Sequence, residues 1–199
     1  MTMRAGAART RKEKAADAAI EVIAGGGMRE LTHRAVDARA GLPAGSTSSC
    51  YRSRSALLRG VLDRLVERQE EMLARWPVTG WRNDTPAERD RIVDMLTDLL
   101  TYWLGEGRAH SQARLEMYLD AVRRPELRPY LEAASNRFLE RTRAGMIDGG
   151  LPDVDASARL ILAQLDGILF DALARPFFGP ADRPWLRHAV NSCLTGIGI

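Results

Sequence analysis

Cysteine is scarce in this 199-residue chain, with only Cys50 and Cys193. Two isolated cysteines form neither a disulfide framework nor a zinc site, and both read as small, semi-buried thiols. Nothing in the sequence marks Cys50 as a redox switch. The three histidines, His33, His110 and His188, belong to no metal-spaced cluster. No P-loop, nucleophile elbow or dinucleotide fingerprint is present. Glu67, Glu70 and Glu71 read as a solvated helix face, not as a paired acid and base. No apolar run approaches the roughly 18 residues needed to span a bilayer, so no membrane partner is expected. The basic N-terminus, MTMRAGAARTRKEK, lacks the apolar stretch of a secretory signal. Strand-type alternation is almost absent, as are repeats and low-complexity segments. These absences leave a cytoplasmic, helical, non-enzymatic protein without a cofactor as the expectation, with a helical enzyme as a remote alternative.

What is abundant is arginine: of 29 basic residues only Lys12 and Lys14 are lysines. The charge is unevenly spread. Residues 1–60 hold 11 basic and 5 acidic residues, a balance of +6, whereas the rest hold 18 and 21, a balance of −3. A basic head on a mildly acidic body fits a polyanion-binding unit joined to a unit of another kind.

Apolar residues recur at helical spacing along the whole chain. Ala16, Ala19, Ile20 and Ile23 mark a first helix that stops at Gly25-Gly26-Gly27. Thr32 caps a short helix over His33–Ala40, Gly41 ends it, and Pro43 opens another that closes near Tyr51. Ser53 caps a long helix carrying Leu58, Val61, Leu62 and Leu65. A loop with Pro77, Gly80, Asn83 and Asp84 follows, and Thr85-Pro86 starts the next helix. Further stripes lie at Ile92–Trp103, at Leu115, Tyr118, Leu119 and Val122, and at Leu127–Phe138. The final helices span Ala156–Ala174 and about Arg183–Thr195. The expectation is an all-α chain of about nine helices.

The informative stretch is Leu31–Leu58. Two short helices meet at a tight turn at Gly41, and Val36, Ala40, Leu42 and Tyr51 are spaced to share a small core. This is the layout of a helix-turn-helix, whose second helix enters the major groove. Ala44, Gly45, Ser46, Thr47, Ser48 and Ser49 are small or hydroxylic, as a surface approaching bases and phosphates requires. Thr32, His33 and Arg34 open the bracing helix, and Arg52 and Arg54 add positive charge. The arm with Arg4, Arg9, Arg11, Lys12 and Lys14 is expected either to add non-specific attraction to the DNA backbone or to enter the minor groove.

At these residues the chain resembles the TetR family of bacterial repressors. The shared pattern comprises Ala18-Ala19, Gly27, Thr32, Ala40-Gly41, Gly45-Ser46, Tyr51, Ser53-Arg54 and Ala56-Leu57-Leu58, over roughly residues 9–65. Two departures stand out: serines at 48 and 49, where members often carry tyrosine or histidine, and Arg54 in place of the usual lysine. The resemblance implies a DNA-binding domain at 1–52 and a ligand-binding and dimerisation domain at 53–199, joined by the helix from Ser53 as a lever. It implies a palindromic double-stranded DNA operator, a homodimer and a small, mostly apolar inducer. A ligand-independent regulator under a protein partner is the alternative. Met95, Leu99, Trp103, Met117, Tyr118 and Phe138 sit at helical spacing and read either as core or, on the resemblance, as cavity lining. Gln164, polar in an apolar helix, either specifies an interface or reads a ligand. Ala156–Ala174 is apolar on more than one face. Leu165 and Leu169, with Leu186 and Val190 of the last helix, are the expected dimer contacts, in a four-helix bundle across a two-fold axis.

Overall fold

The computed structural model of the chain describes residues 10–75, 81–151 and 153–199, and among them the regular structure is helical with no strand. The α-helices are α1 (Arg11–Glu30), α2 (His33–Ala40), α3 (Ser46–Cys50), α4 (Arg54–Leu73), α5 (Pro86–Leu104), α6 (Arg108–Arg123), α7 (Arg128–Asp148), α8 (Val154–Ala174) and α9 (Arg183–Gly196). Single 3₁₀ turns follow α6 and α8. Pro77 and Gly80 of the expected loop lie outside the described residues.

Short side chains set the helix starts. Thr10 and Thr85 form capping boxes with Glu13 and Glu88, each satisfying otherwise orphaned backbone N–H groups. Thr32 and Ser53 each accept from an N–H three residues on, at 3.1 Å. Three local expectations change. Helix α1 continues through Gly25 and Gly26 and breaks at Gly27, whose φ of 73° and ψ of −178° suit glycine, before one further turn. Helix α3 begins at Ser46, because Pro43 starts a tight turn closed by the Ser46 N–H on its carbonyl. On α6 the expected apolar stripe is not the buried one: Leu119 and Val122 are exposed, whereas Ala113, Met117 and Ala121 are buried. The two alanines present little bulk on the face that lies against α1.

Two apolar cores result. The first joins α1, α2 and Tyr51 to Leu57–Leu65 of α4 and to Ala113, Met117 and Ala121 of α6, so it extends past residue 52. The second is built around α5, with the end of α4, Trp81, Met146 of α7, and α8 and α9. Leu165, Leu169, Leu186 and Val190 lie inside this second core, at 0–7% exposure in a single chain. They therefore face their own protomer, not a partner. The large apolar side chains left exposed from α8 to α9 are Leu160, Phe170, Phe177, Phe178 and Trp185.

A buried ion pair ties α1 to α4. Arg64 donates from Nε to Asp17 at 2.6 Å, and Arg68 reaches the same carboxylate at 3.0 Å. Arg64 also contacts Glu67 and Glu71. Without Asp17, Arg64 keeps only the exposed Glu67 and Glu71, and its buried charge loses most of its compensation. Asp17→Ala is therefore expected to lower stability by about 3 kcal/mol in urea unfolding, and adding Arg64→Met should recover much of that loss.

Candidate DNA-binding head and ligand cavity

In the head the turn between α2 and α3 is held by one carboxylate. Gly41 adopts the left-handed conformation, φ 62°, and ends α2. Asp37, buried on α2, then accepts three hydrogen bonds from the start of α3: from the Gly45 N–H at 2.8 Å, the Thr47 N–H at 2.7 Å and the Thr47 hydroxyl at 2.6 Å. Burial pushes this carboxyl up, but the bonds from Thr47 and Gly45 outweigh it and hold its pKa below the ordinary 3.8. Helix α3 is thus clamped to α2 by charge-assisted hydrogen bonds.

This clamp sorts the expected DNA-contacting residues. Thr47 is fully buried and Ser46 is buried beside it, so neither faces outward. Thr47 is committed to Asp37 and cannot read a base edge. Tyr51 is also buried; its hydroxyl donates to the Lys12 carbonyl, and burial raises its pKa to about 12. His33 donates from Nε2 to the Tyr51 carbonyl at 2.6 Å. Arg54 forks onto the carbonyls of Leu31 and Met28, bracing the end of α1 in place of a free phosphate contact. Exposed at the surface are Thr32, Arg34, Ala44, Gly45, Ser48, Ser49 and Arg52, together with Pro43. Ser48 and Ser49 donate to carbonyls three residues back, leaving their oxygen lone pairs outward. Arg4 and Arg9 of the expected arm lie outside the described residues.

A cavity of about 310 Å³ lies among α4, α5, α6, α7 and α8. Leu99 and Trp103 of α5, Tyr118 of α6 and Phe138 of α7 line it. Met95 and Met117 do not: each packs into one of the two cores. Gln164 is also absent from the lining and stands against Gly196 of α9. Leu165 and Leu169, expected at a dimer interface, line the cavity instead, as do Arg114 and Asp166. The latter two form an ion pair at 2.5 Å between α6 and α8. Their separation of 52 positions hides the pairing from any local sequence pattern. Tyr118 donates to Ser135, which in turn donates to the Leu131 carbonyl. Behind Trp103, the His110 ring lies 4.5 Å away between centroids and tilted by 39°, with neither ring nitrogen hydrogen-bonded among the described residues. Burial first, then the charges of Arg114 and Arg68, lower its pKa to about 3.

These shifts set the acid response. His110 is held neutral when folded but protonates near 6.5 when unfolded, so its contribution is complete above about pH 6.5 and is lost as pH falls toward 3. Asp37 contributes above about 3.8 and is lost as pH falls below that value. Unfolding free energies from denaturant titrations between pH 7 and 4.5 are expected to decline by up to about 1.4 kcal/mol per pH unit. His110→Phe should flatten that decline, and an unchanged slope in the variant would contradict the assignment.

Comparison with known proteins agrees with this architecture. A family model described as "Tetracyclin repressor-like, C-terminal domain" matches residues 87–196. A TetR family member from Streptomyces coelicolor A3 is 28% identical, with a TM-score of 0.70 over 93% of this chain and 98% of its own. The multidrug binding protein EbrR in complex with ethidium is 27% identical, with a TM-score of 0.65 over 94% and 99% of the two chains. A transcriptional regulator from Rhodococcus sp. Rha1 shares the fold at 22% identity, with a TM-score of 0.74 over 94% and 96%. No curated protein matches the sequence. With more than half of its length matched by the family model and an all-helical fold shared with these regulators, the chain belongs to the TetR family of transcriptional regulators.

Proposed function

We propose that this chain is a cytoplasmic, ligand-responsive repressor that binds a palindromic double-stranded DNA operator as a homodimer and is released by a small, mostly apolar inducer. The observation that carries this reading is the double commitment of α6. One face of α6, with Ala113, Met117 and Ala121, is part of the core of the head. Another, with Arg114 and Tyr118, lines the cavity. A ligand that shifts the cavity wall therefore acts on the element against which the head is packed, and it favours one of two head spacings. EbrR, solved with the cationic dyes ethidium, proflavin and malachite green, supports a cavity that takes aromatic compounds, and it lends no support to a preference for positive charge in this chain.

The DNA face in this reading is Thr32, Arg34, Ala44, Gly45, Ser48, Ser49 and Arg52, the residues left outward once Asp37 has taken Thr47. Arg34 and Arg52 serve as phosphate contacts, and the small residues let the backbone approach the groove. The partner is a second copy, because one short recognition helix reads too few base pairs. The contact surface is the outer side of α8 and α9, where Leu160, Phe170 and Trp185 are exposed. It replaces the inward-facing leucines expected from sequence.

Arg34→Ala and Arg52→Ala are expected to weaken binding to duplexes of any sequence, each lowering the slope of log affinity against log salt by about 1 in fluorescence anisotropy. Phe170→Glu with Trp185→Glu should convert the protein to 22.0 kDa monomers in sedimentation velocity and reduce operator affinity. A wild-type monomer that bound its operator tightly would contradict the dimer.

A further inference from the structure

The cavity wall carries ionic charge at one place only among the described lining residues. Arg114 donates from both terminal nitrogens to the two oxygens of Asp166, at 3.3 and 2.5 Å, and its guanidinium lies 5.7 Å from the centre of the Tyr118 ring. Burial works against its charge, but Asp166 and Tyr118 more than offset that, so it stays protonated. The remaining lining is apolar apart from Gln69 and Ser135. His110, behind Trp103, is neutral at physiological pH. The cavity therefore presents two opposite charges that already neutralise each other, and no net charge.

That arrangement penalises an ionised ligand of either sign. A cation drawn to Asp166 meets Arg114 on the same carboxylate, and an anion drawn to Arg114 meets Asp166 on the same guanidinium. Either ion must enter without compensation or break the two-bond pair, which costs most when it is the more buried Arg114 that is left alone, because Asp166 is half-exposed. A neutral molecule meets neither difficulty. It buries apolar surface against Trp103, Phe138 and Leu162. Its polar group can hydrogen-bond to spare N–H groups of Arg114 or lone pairs of Asp166 with the pair intact. The volume, about 310 Å³, lies at the small end of ligand cavities.

We propose that the Arg114–Asp166 pair is a charge filter that makes this cavity selective for small, electrically neutral ligands over organic cations and anions. The proposal rests on the reading of the cavity as the inducer site. It assigns the pair a role in specificity distinct from holding α6 to α8.

The test uses three fluorescent probes of similar size: the neutral naphthalene dye prodan, the cation proflavin, and the anion anilinonaphthalene sulfonate. Leu162→Trp, which fills the cavity, locates the signal. Wild type should bind prodan at least about tenfold more tightly than either ion. Arg114→Met, which leaves Asp166 alone, should gain about tenfold for proflavin. Asp166→Asn, which leaves Arg114 alone, should gain about tenfold for the sulfonate. Prodan, which can lose at most a hydrogen bond to the altered residue, should change in affinity by much less than the ion of opposite sign in each variant, and thermal melts verify that both variants are folded. Wild type binding proflavin or the sulfonate as tightly as prodan would overturn the filter, as would variants that gain nothing for the ion of opposite sign. Failure of all three probes to bind, or binding indifferent to Leu162→Trp, would instead overturn the cavity as the ligand site.

Discussion

The architecture depends on one packing constraint: α6 is held in two places at once. Met117 is fully buried in the core it shares with α1, and its neighbour Tyr118 lines the cavity. Adjacent residues on a helix project about 100° apart, so a single turn serves both environments. Alanines at 113 and 121 leave little side-chain bulk between α6 and α1. Close-packed cores respond to displacement by shifting as units and not by local give. The path from cavity to head is then short: Tyr118 to Met117, Met117 to α1, and the end of α1 to Arg54, which holds the carbonyls of Met28 and Leu31 at the entrance of α2.

Within the head, polar residues do structural work that their chemistry alone would assign to DNA. Asp37 satisfies the first N–H groups of a five-residue helix too short to be stable by itself. His33 and Arg54 satisfy backbone carbonyls at the two ends of the same unit. What remains outward is a small surface of Thr32, Arg34, Ala44, Gly45, Ser48, Ser49 and Arg52.

Much of this was legible in the sequence. The caps at Thr32, Ser53 and Thr85, the stop at Gly41 and the α5 stripe are local patterns, and local chemistry decides them. The head motif was readable for the same reason. The errors fall where partners are distant or faces are ambiguous. Thr47 and Ser48 are adjacent hydroxyl residues, and only Asp37, ten positions before Thr47, makes one internal and the other external. Helix α8 is apolar on several sides, so periodicity could not choose between Leu165 and Leu169 inside and Leu160 and Phe170 outside. Two methionines fit a cavity by type, but the space formed instead beside Leu162 and an ion pair joining α6 to α8.

Coupling through α6 is tested most directly by measuring thermodynamic reciprocity. Prodan affinity would be determined with and without saturating operator duplex, and operator affinity with and without saturating prodan. If α6 links the cavity to the head, the two ratios are equal and differ from unity, since linkage requires each ligand to alter the other's affinity by the same factor. Prodan and operator binding independently, with both ratios at unity, would contradict it.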